Sequence, residues 1–121
     1  SSVETFKFIL HSMRQQSAKP ITFIYCPYVP IIKNNHVDFE DHEADMVAIF
    51  AKECQKNDIG FIDMTKEFCN YHKDTGKFPR GFHNSRPSQG HFNHNGHRLI
   101  AQAIYKDSIS TNMRSHAFYA D

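Results

Sequence analysis

Two short apolar runs separated by one amphipathic helix constrain the fold of this chain most strongly. Residues 21–26 and 59–64 are rich in β-branched and aromatic side chains and lack regular polar alternation, which is typical of strands covered on both faces of a parallel sheet. Between them, Met46, Val47 and Phe50 recur at helical spacing. Strand, crossover helix and strand in this order predict a right-handed βαβ unit.

The segments around this unit predict flanking helices and irregular stretches. Residues 2–19 carry apolar side chains at i, i+3, i+4 and i+7 spacing, which predicts a helix that Pro20 ends. Residues 31–37 are predicted to be irregular, and residues 65–89 to be a long loop after one short helical turn. Residues 110–121, beyond a closing helix, are predicted to form a loosely held tail.

Size and charge limit the classes of protein that fit. A chain of 121 residues is large enough for one hydrophobic core, so residues 1–121 are predicted to form one α/β unit or part of one. The 14 basic and 13 acidic residues are scattered, which argues against a broad basic surface for nucleic acid. No apolar run approaches membrane-spanning length. Cys26, Cys54 and Cys69 have no C-x-x-C spacing, and their pairing stays open.

A histidine-bearing loop leads into the closing helix. Asn93 and Asn95 are both good N-cap residues, because a short amide side chain accepts from the first backbone N–H groups of a helix. Apolar residues then recur at helical spacing to about Ile109. His91 is therefore expected just ahead of a well-anchored helix, a position that suits a general base.

This block of sequence resembles a known family. His91-Phe92-Asn93 followed by Gly96-His97-Arg98-Leu99-Ile100-Ala101 resembles the closing block of the SGNH, or GDSL-type, serine hydrolases. Phe61-Ile62-Asp63-Met64 resembles their final strand. The resemblance implies the C-terminal portion of a three-layer, flavodoxin-like α/β fold, with parallel strands near residues 21–26 and 59–64.

The resemblance also implies a reaction. His91 would be the catalytic base of a serine esterase that hydrolyses O-acyl esters, with O-acetyl esters of carbohydrates or acyl esters of lipids as the expected substrates. No cofactor is implied. The resemblance favours an extracytoplasmic compartment, although the sequence itself does not set the compartment.

The nucleophile block of the family is absent from this chain. Its Gly-Asp-Ser motif and its oxyanion motifs do not occur, so the resemblance covers the C-terminal half of a domain and places the nucleophilic Ser outside this sequence. The chain alone is expected not to hydrolyse esters. The N-terminal half of the domain, or a second chain, is expected to pair with the strand at residues 21–26, whose open edge needs a partner.

The orienting acid departs from the family pattern. Family members place Asp two or three residues before the catalytic His, where this chain has Gln89 and Ser88. Asp63, at a strand end, is a candidate substitute. A weakened or dyad-like site is therefore predicted in place of a complete Ser-His-Asp triad.

Ligands of doubly wound sheets bind beyond the carboxyl ends of the strands. That rule, with the resemblance, places the loop after the first strand and the loop before His91 around one substrate cleft. The residues expected to line it are Tyr28, Pro30, Phe82, His83 and Phe92.

Two further functions are weighed against the esterase. One is a degenerate SGNH-like module that binds a ligand without catalysis, which the missing acid favours. The other is a metal site, for which the sequence offers two groups: His83, His91, His94 and His97, and also His36, Asp38, Glu40 and His42. The family block and helix capping already account for these residues, so no metal is predicted.

Overall fold

The computed structural model describes the backbone of residues 2–119 and the side chains of residues 2–110. In chain order the elements are α1 (Ser2–Gln16), β1 (Thr22–Tyr25), β2 (Ile31–Lys33), β3 (His36–Asp38), α2 (Ala44–Lys56), β4 (Gly60–Asp63), α3 (Thr65–Thr75) and α4 (His94–Tyr119). Within the described residues, strands β1 and β4 form a parallel pair and β2 and β3 an antiparallel pair. The predicted α/β class with a parallel pair is confirmed, whereas the three-layer flavodoxin-like arrangement stays a prediction.

The chain divides into two compact units. The first holds the residues up to Pro27 together with Glu40–Thr65, and the second holds Tyr28–Phe39 together with the residues from Lys66 onward. The first unit contains the βαβ elements, and the second contains the hairpin, the long loop and α4. The expectation of a single unit over residues 1–121 stays a prediction.

The core of the first unit lies between the parallel pair and two helices. Phe23 of β1 is in register with Phe61 of β4, and both rings pack against a cluster built on Leu10, Cys54 and Ile59. Alternation along a strand sends neighbouring side chains to opposite faces. One face of the sheet is therefore covered by α1 and α2.

Arg14 fastens the ends of α1 and α2 within this unit. Its guanidinium donates to the carbonyl oxygens of Asn57 and Asp58, at 3.0 and 2.9 Å, just beyond the end of α2. It also donates to the carbonyls of Ser17 and Lys19. These carbonyls follow helix ends, where no intrahelical donor is available. Helix α1 ends at Gln16, three residues before the predicted boundary.

The start of α2 has no side-chain cap, although two acidic residues that could supply one, Asp38 and Asp41, precede it. Glu43 precedes the first helical residue and makes no capping bond with its side chain. Asp41 Oδ1 instead accepts from the Glu43 N–H at 3.1 Å, and Asp41 lies two residues before the cap position. Asp38 lies in β3.

The prediction of an irregular stretch at residues 31–37 is wrong, because these residues form the β2–β3 hairpin. Asn34 and Asn35 make its two-residue turn, with φ of 52° and 64°. Two consecutive positive φ values match the twist of a hairpin, and Asn tolerates them better than most residues.

Helix α3 is longer than the single turn predicted after Thr65. Phe68 and Cys69 are buried on one face of it, and Gly76, with φ of 73°, follows its last residue and donates from its N–H to the His72 carbonyl at 2.7 Å. A glycine in this conformation is a common helix terminator.

Helix α4 also exceeds its predicted length. It runs to Tyr119, ten residues past the expected end near Ile109. That residues 110–121 are loosely held stays a prediction, and residues 120–121 lie outside the described part of the chain. None of the helices within residues 2–119 is long and apolar enough to cross a membrane. The three cysteines are unbridged.

Candidate functional site

The loop before α4 is held by one side chain, that of Asn93. Its Nδ2 donates to the carbonyl oxygens of Phe78, at 2.8 Å, and of Gly81, at 3.0 Å. Its Oδ1 accepts from the Gly96 N–H at 3.1 Å, and its own N–H donates to the Pro79 carbonyl at 3.0 Å. We call this set of bonds the Asn93 clasp. It caps α4 and fixes both ends of the preceding loop to the helix start.

Gly96 is required by the same geometry. It is buried, and a Cβ atom at this position would overlap the carbonyl oxygen of Pro79 and lie 3.0 Å from the Phe92 ring. The backbone of the loop therefore rests directly on the first turn of α4. Two residues of the motif around His91, Asn93 and Gly96, thus have a structural role here.

His91 combines a fixed backbone with an exposed side chain. Its carbonyl oxygen accepts from the Gly81 N–H at 3.1 Å, and the next residue, Phe92, forms an antiparallel bridge with Arg80. The His91 side chain is exposed, and its imidazole makes no hydrogen bond to any residue that the structure describes. Such a ring is accessible to a substrate or to a partner group.

Backbone groups hydrogen-bond to Ser88 and Gln89, the two residues at which the resemblance leads us to expect an acid. Ser88 is fully buried, with φ of 71°, and its Oγ accepts from the Ile32 N–H at 2.9 Å. Gln89 is half-buried and its N–H donates to the Arg86 carbonyl at 3.3 Å. Ser88 therefore ties the loop to strand β2.

Asp63, the proposed substitute acid, lies in the first unit at the end of β4. Its Oδ1 accepts two bonds from Thr65, from the N–H at 2.9 Å and from the hydroxyl at 2.6 Å. This pattern is an Asx turn that starts α3. The Asp63 carboxylate therefore has a structural role at the start of α3.

Beside Asp63 in the sheet, Tyr25 makes a short hydrogen bond. Tyr25 is the register partner of Asp63, and its hydroxyl donates to Asp41 Oδ2 at 2.6 Å. Burial, followed by this hydrogen bond and the negative charge of Asp41, raises the pKa of Tyr25 far above its ordinary value. The phenol is therefore held in its neutral form as a donor.

Arg80 organises the aromatic residues of the second unit. Its guanidinium carbon lies 4.0 Å from the centre of the Phe92 ring and 4.7 Å from that of Tyr28, and Nη1 donates to the Gly90 carbonyl at 3.2 Å. Cation–π contacts of this kind stabilise a loop when the rings are partly desolvated. Phe92 also packs against the buried Phe68, with ring centres 5.9 Å apart.

A cleft of about 510 Å³ opens beside the Asn93 clasp in the second unit. The residues that line it are Lys77, Phe78, Arg80, Gly81, Phe82, His83, Ser85, Pro87, Asn93, His94 and Asn95. Of the residues expected in the substrate cleft, it includes Phe82 and His83. Tyr28 and Phe92 lie instead on Arg80, and Pro30 is fully buried.

The two histidine-containing groups do not assemble a metal site. No group of three or more His, Cys, Asp or Glu side chains among the residues with described side chains is arranged to hold a metal ion. His97 instead approaches the Phe92 ring edge-on, with centres 6.0 Å apart.

Sequence reasoning overlooked the contacts of Arg80 with the Tyr28 and Phe92 rings and the bond from Ile32 to Ser88. Arg80 gave no motif signal, because its contacts depend on rings distant in sequence. Ser88 drew attention only through its spacing from His91, which does not reveal a bond to a hairpin that was itself not predicted. A comparison with protein-family models, with curated proteins and with solved structures finds no match to this chain.

Proposed function

We propose that this chain is the histidine-bearing part of a serine esterase of the SGNH type. In this proposal His91 deprotonates a nucleophilic Ser that lies outside residues 1–121, and the substrate is an O-acyl ester, with O-acetyl esters of carbohydrates or acyl lipids as the expected class. The proposal rests on the resemblance of the His91 block and on the geometry of that block.

The observation that carries the proposal is the contrast between the fixed backbone of His91 and its exposed imidazole. A general base must be positioned within a few tenths of an ångström and must still reach its proton. The Gly81 N–H bond to the His91 carbonyl and the Asn93 clasp two residues later supply the first requirement. The exposure of the ring supplies the second.

The proposed site is dyad-like. The Ser88 hydroxyl oxygen accepts a hydrogen bond from the Ile32 N–H. No carboxylate among the described side chains bonds to the His91 ring. An imidazole without an orienting carboxylate is a poorer base, because nothing selects its tautomer or stabilises its cation. We therefore propose a slower enzyme than a complete triad would give.

The missing half of the site suggests a partner for β1. Among the described residues, β1 pairs only with β4, so its other edge presents unpaired backbone groups, which favour addition of another strand. We propose that the N-terminal half of the domain, or a second chain that carries it, occupies this edge and brings the Ser.

A fluorophosphonate probe tests the proposal, because it labels serine nucleophiles that a base activates. The polypeptide or complex that supplies the other half is compared as wild type, as His91→Ala and as His11→Ala, a control at an exposed histidine of α1. We expect labelling of a Ser outside residues 1–121, slowed about a hundredfold or more by His91→Ala and unaffected by the control. Labelling that His91→Ala leaves unchanged would contradict the proposal.

One observation favours a second candidate, a binding module without catalysis. The position of the family's acid is occupied by a buried serine with a structural bond, as expected if selection for catalysis has lapsed. Absence of any fluorophosphonate labelling in the folded assembly would support this module against the esterase.

A further inference from the structure

The cleft beside the Asn93 clasp has an unbalanced charge. Two of its lining residues, Lys77 and Arg80, are cationic, and His83 and His94 add two titratable imidazoles. No Asp or Glu is among the described residues that line it. A concave surface lined by one sign of charge concentrates the field and attracts ions of the opposite sign.

The same cleft offers an aromatic surface and neutral hydrogen-bonding groups. Phe82 is 52% exposed although it is a large apolar side chain, and Phe78 is a second aromatic residue of the lining. Asn95 and Ser85 supply polar groups. Small-molecule sites typically combine apolar walls with a few polar groups that fix orientation.

The backbone that forms the cleft is held in place. The Asn93 clasp bonds the carbonyls of Phe78 and Gly81, both of which belong to lining residues. Ser85 Oγ accepts from the Phe82 N–H at 2.8 Å, which closes the tight turn that carries Phe82 and His83. A ligand would therefore meet a largely preformed surface, which reduces the entropy cost of binding.

We infer that this cleft binds a sugar that carries a negative charge, with the ring against Phe82 and the anionic group towards Lys77 and Arg80. The cations select the charge and the exposed aromatic side chain selects a ring with an apolar face. The inference concerns binding alone and stands whether or not His91 acts as a base. Asn93 both lines the cleft and follows His91 by two residues, so a bound sugar would lie on the loop that carries His91.

Calorimetric titration of the full chain tests the inference. The probes are digalacturonate, its neutral counterpart with the carboxylates reduced to hydroxymethyl groups, and inorganic phosphate. We expect saturable binding of digalacturonate, at least about tenfold weaker binding of the neutral sugar, and weaker binding of phosphate, which lacks a ring. Raising the ionic strength from about 0.01 to about 0.15 M shortens the Debye length from about 30 to about 8 Å, and should weaken the binding of digalacturonate and phosphate but not that of the neutral sugar.

Three variants locate the site. Lys77→Gln should weaken digalacturonate binding about threefold or more, and Phe82→Ala should do the same through loss of the ring contact. Lys106→Gln removes the same charge from an exposed residue of α4 that does not line the cleft, and should leave affinity unchanged. Equal binding of the acidic and neutral sugars, phosphate binding as tight as digalacturonate, or equal losses in Lys77→Gln and Lys106→Gln would overturn the inference.

Discussion

The hydroxyl oxygen of Ser88 accepts a hydrogen bond from the backbone N–H of Ile32 across 2.9 Å, although 56 residues separate the two in the chain. Ser88 is fully buried, whereas the donor residue Ile32 is 39% exposed, so the bond is partly buried. It joins the hairpin to the loop that carries His91.

Replacing Ser88 should destabilise the second unit. Ser88→Ala leaves the part-buried Ile32 N–H without its acceptor, which costs about 1 kcal/mol in the free energy of unfolding. Urea denaturation measures the loss. Ser108→Ala, at an exposed position of α4, is the matched control and should change stability by less than about 0.5 kcal/mol. Equal stability of the two variants would show that the bond is dispensable.

Asn93→Asp separates the N-cap of α4 from the two hydrogen bonds that the Asn93 amide group donates. Asp is as good an N-cap as Asn, but its carboxylate cannot donate to the carbonyls of Phe78 and Gly81 and would face both oxygens. We expect a loss of about 2–4 kcal/mol in unfolding free energy, from two lost bonds and the repulsion. Asn95→Asp adds the same charge in the first turn of α4, where the helix dipole favours it, and should be neutral or slightly stabilising. If Asn93→Asp left the free energy of unfolding unchanged, the N-cap alone, and not the two amide donations, would account for the stabilisation by Asn93.

Gly96→Ala should destabilise the protein, although alanine has a higher helix propensity than glycine. In an ordinary helix this change stabilises by about 1 kcal/mol, whereas here the new methyl group would meet the Pro79 carbonyl. We expect a lower thermal midpoint. Gly90→Ala provides the comparison, because a Cβ at Gly90 meets no atom within 4 Å and suffers only from its φ of 90°. A higher midpoint for Gly96→Ala would show that the loop does not rest on the helix.

The raised pKa of Tyr25 predicts a fall in stability at alkaline pH. An unfolded Tyr ionises near pH 10, while burial and Asp41 keep the folded phenol protonated to higher pH. The folded state therefore holds a proton that the unfolded state has lost, so the stabilisation is complete below about pH 10 and declines as pH rises further.

Denaturant midpoints measured between neutral pH and pH 11 check this expectation. Tyr25→Phe should be less stable at neutral pH, because it lacks the hydrogen bond, but should show a smaller alkaline decline. Tyr105→Phe, at a residue that is 68% exposed, should follow the wild type. An identical alkaline decline in Tyr25→Phe and wild type would assign the effect to another group.

The parallel pair could be predicted because each strand carries its own signal. Residues 21–26 and 59–64 are continuous apolar runs bounded by Pro27 and by Asn57-Asp58, so local sequence suffices. The hairpin was not predicted because its strands are only three residues long. In addition, β2 is bonded through the Ile32 N–H to Ser88, which is distant in sequence. The one local clue was the pair Asn34-Asn35, whose side chains tolerate positive φ.

The candidate site likewise has some features that the local sequence predicts and others that depend on residues distant in the chain. A position for Asn93 at the start of α4 follows from residue type and from the apolar spacing after it, both of which are local. The two carbonyls that its amide group reaches, those of Phe78 and Gly81, lie 15 and 12 residues away, and no periodicity marks them. The positive charge of the cleft likewise arises only because the loop before α4 places Lys77 and Arg80 on one concave surface.

The role of His91 as a base is tested most directly by chemical rescue. p-Nitrophenyl acetate hydrolysis is measured in the assembly that contains both halves of the domain, for wild type and for His91→Ala with and without added imidazole, and the hydrolysis that imidazole causes without the protein is subtracted. We predict that kcat/KM falls about a hundredfold or more in the variant, and that imidazole restores part of it by entering the space of the lost ring. Turnover that survives His91→Ala would contradict the proposed role of this residue.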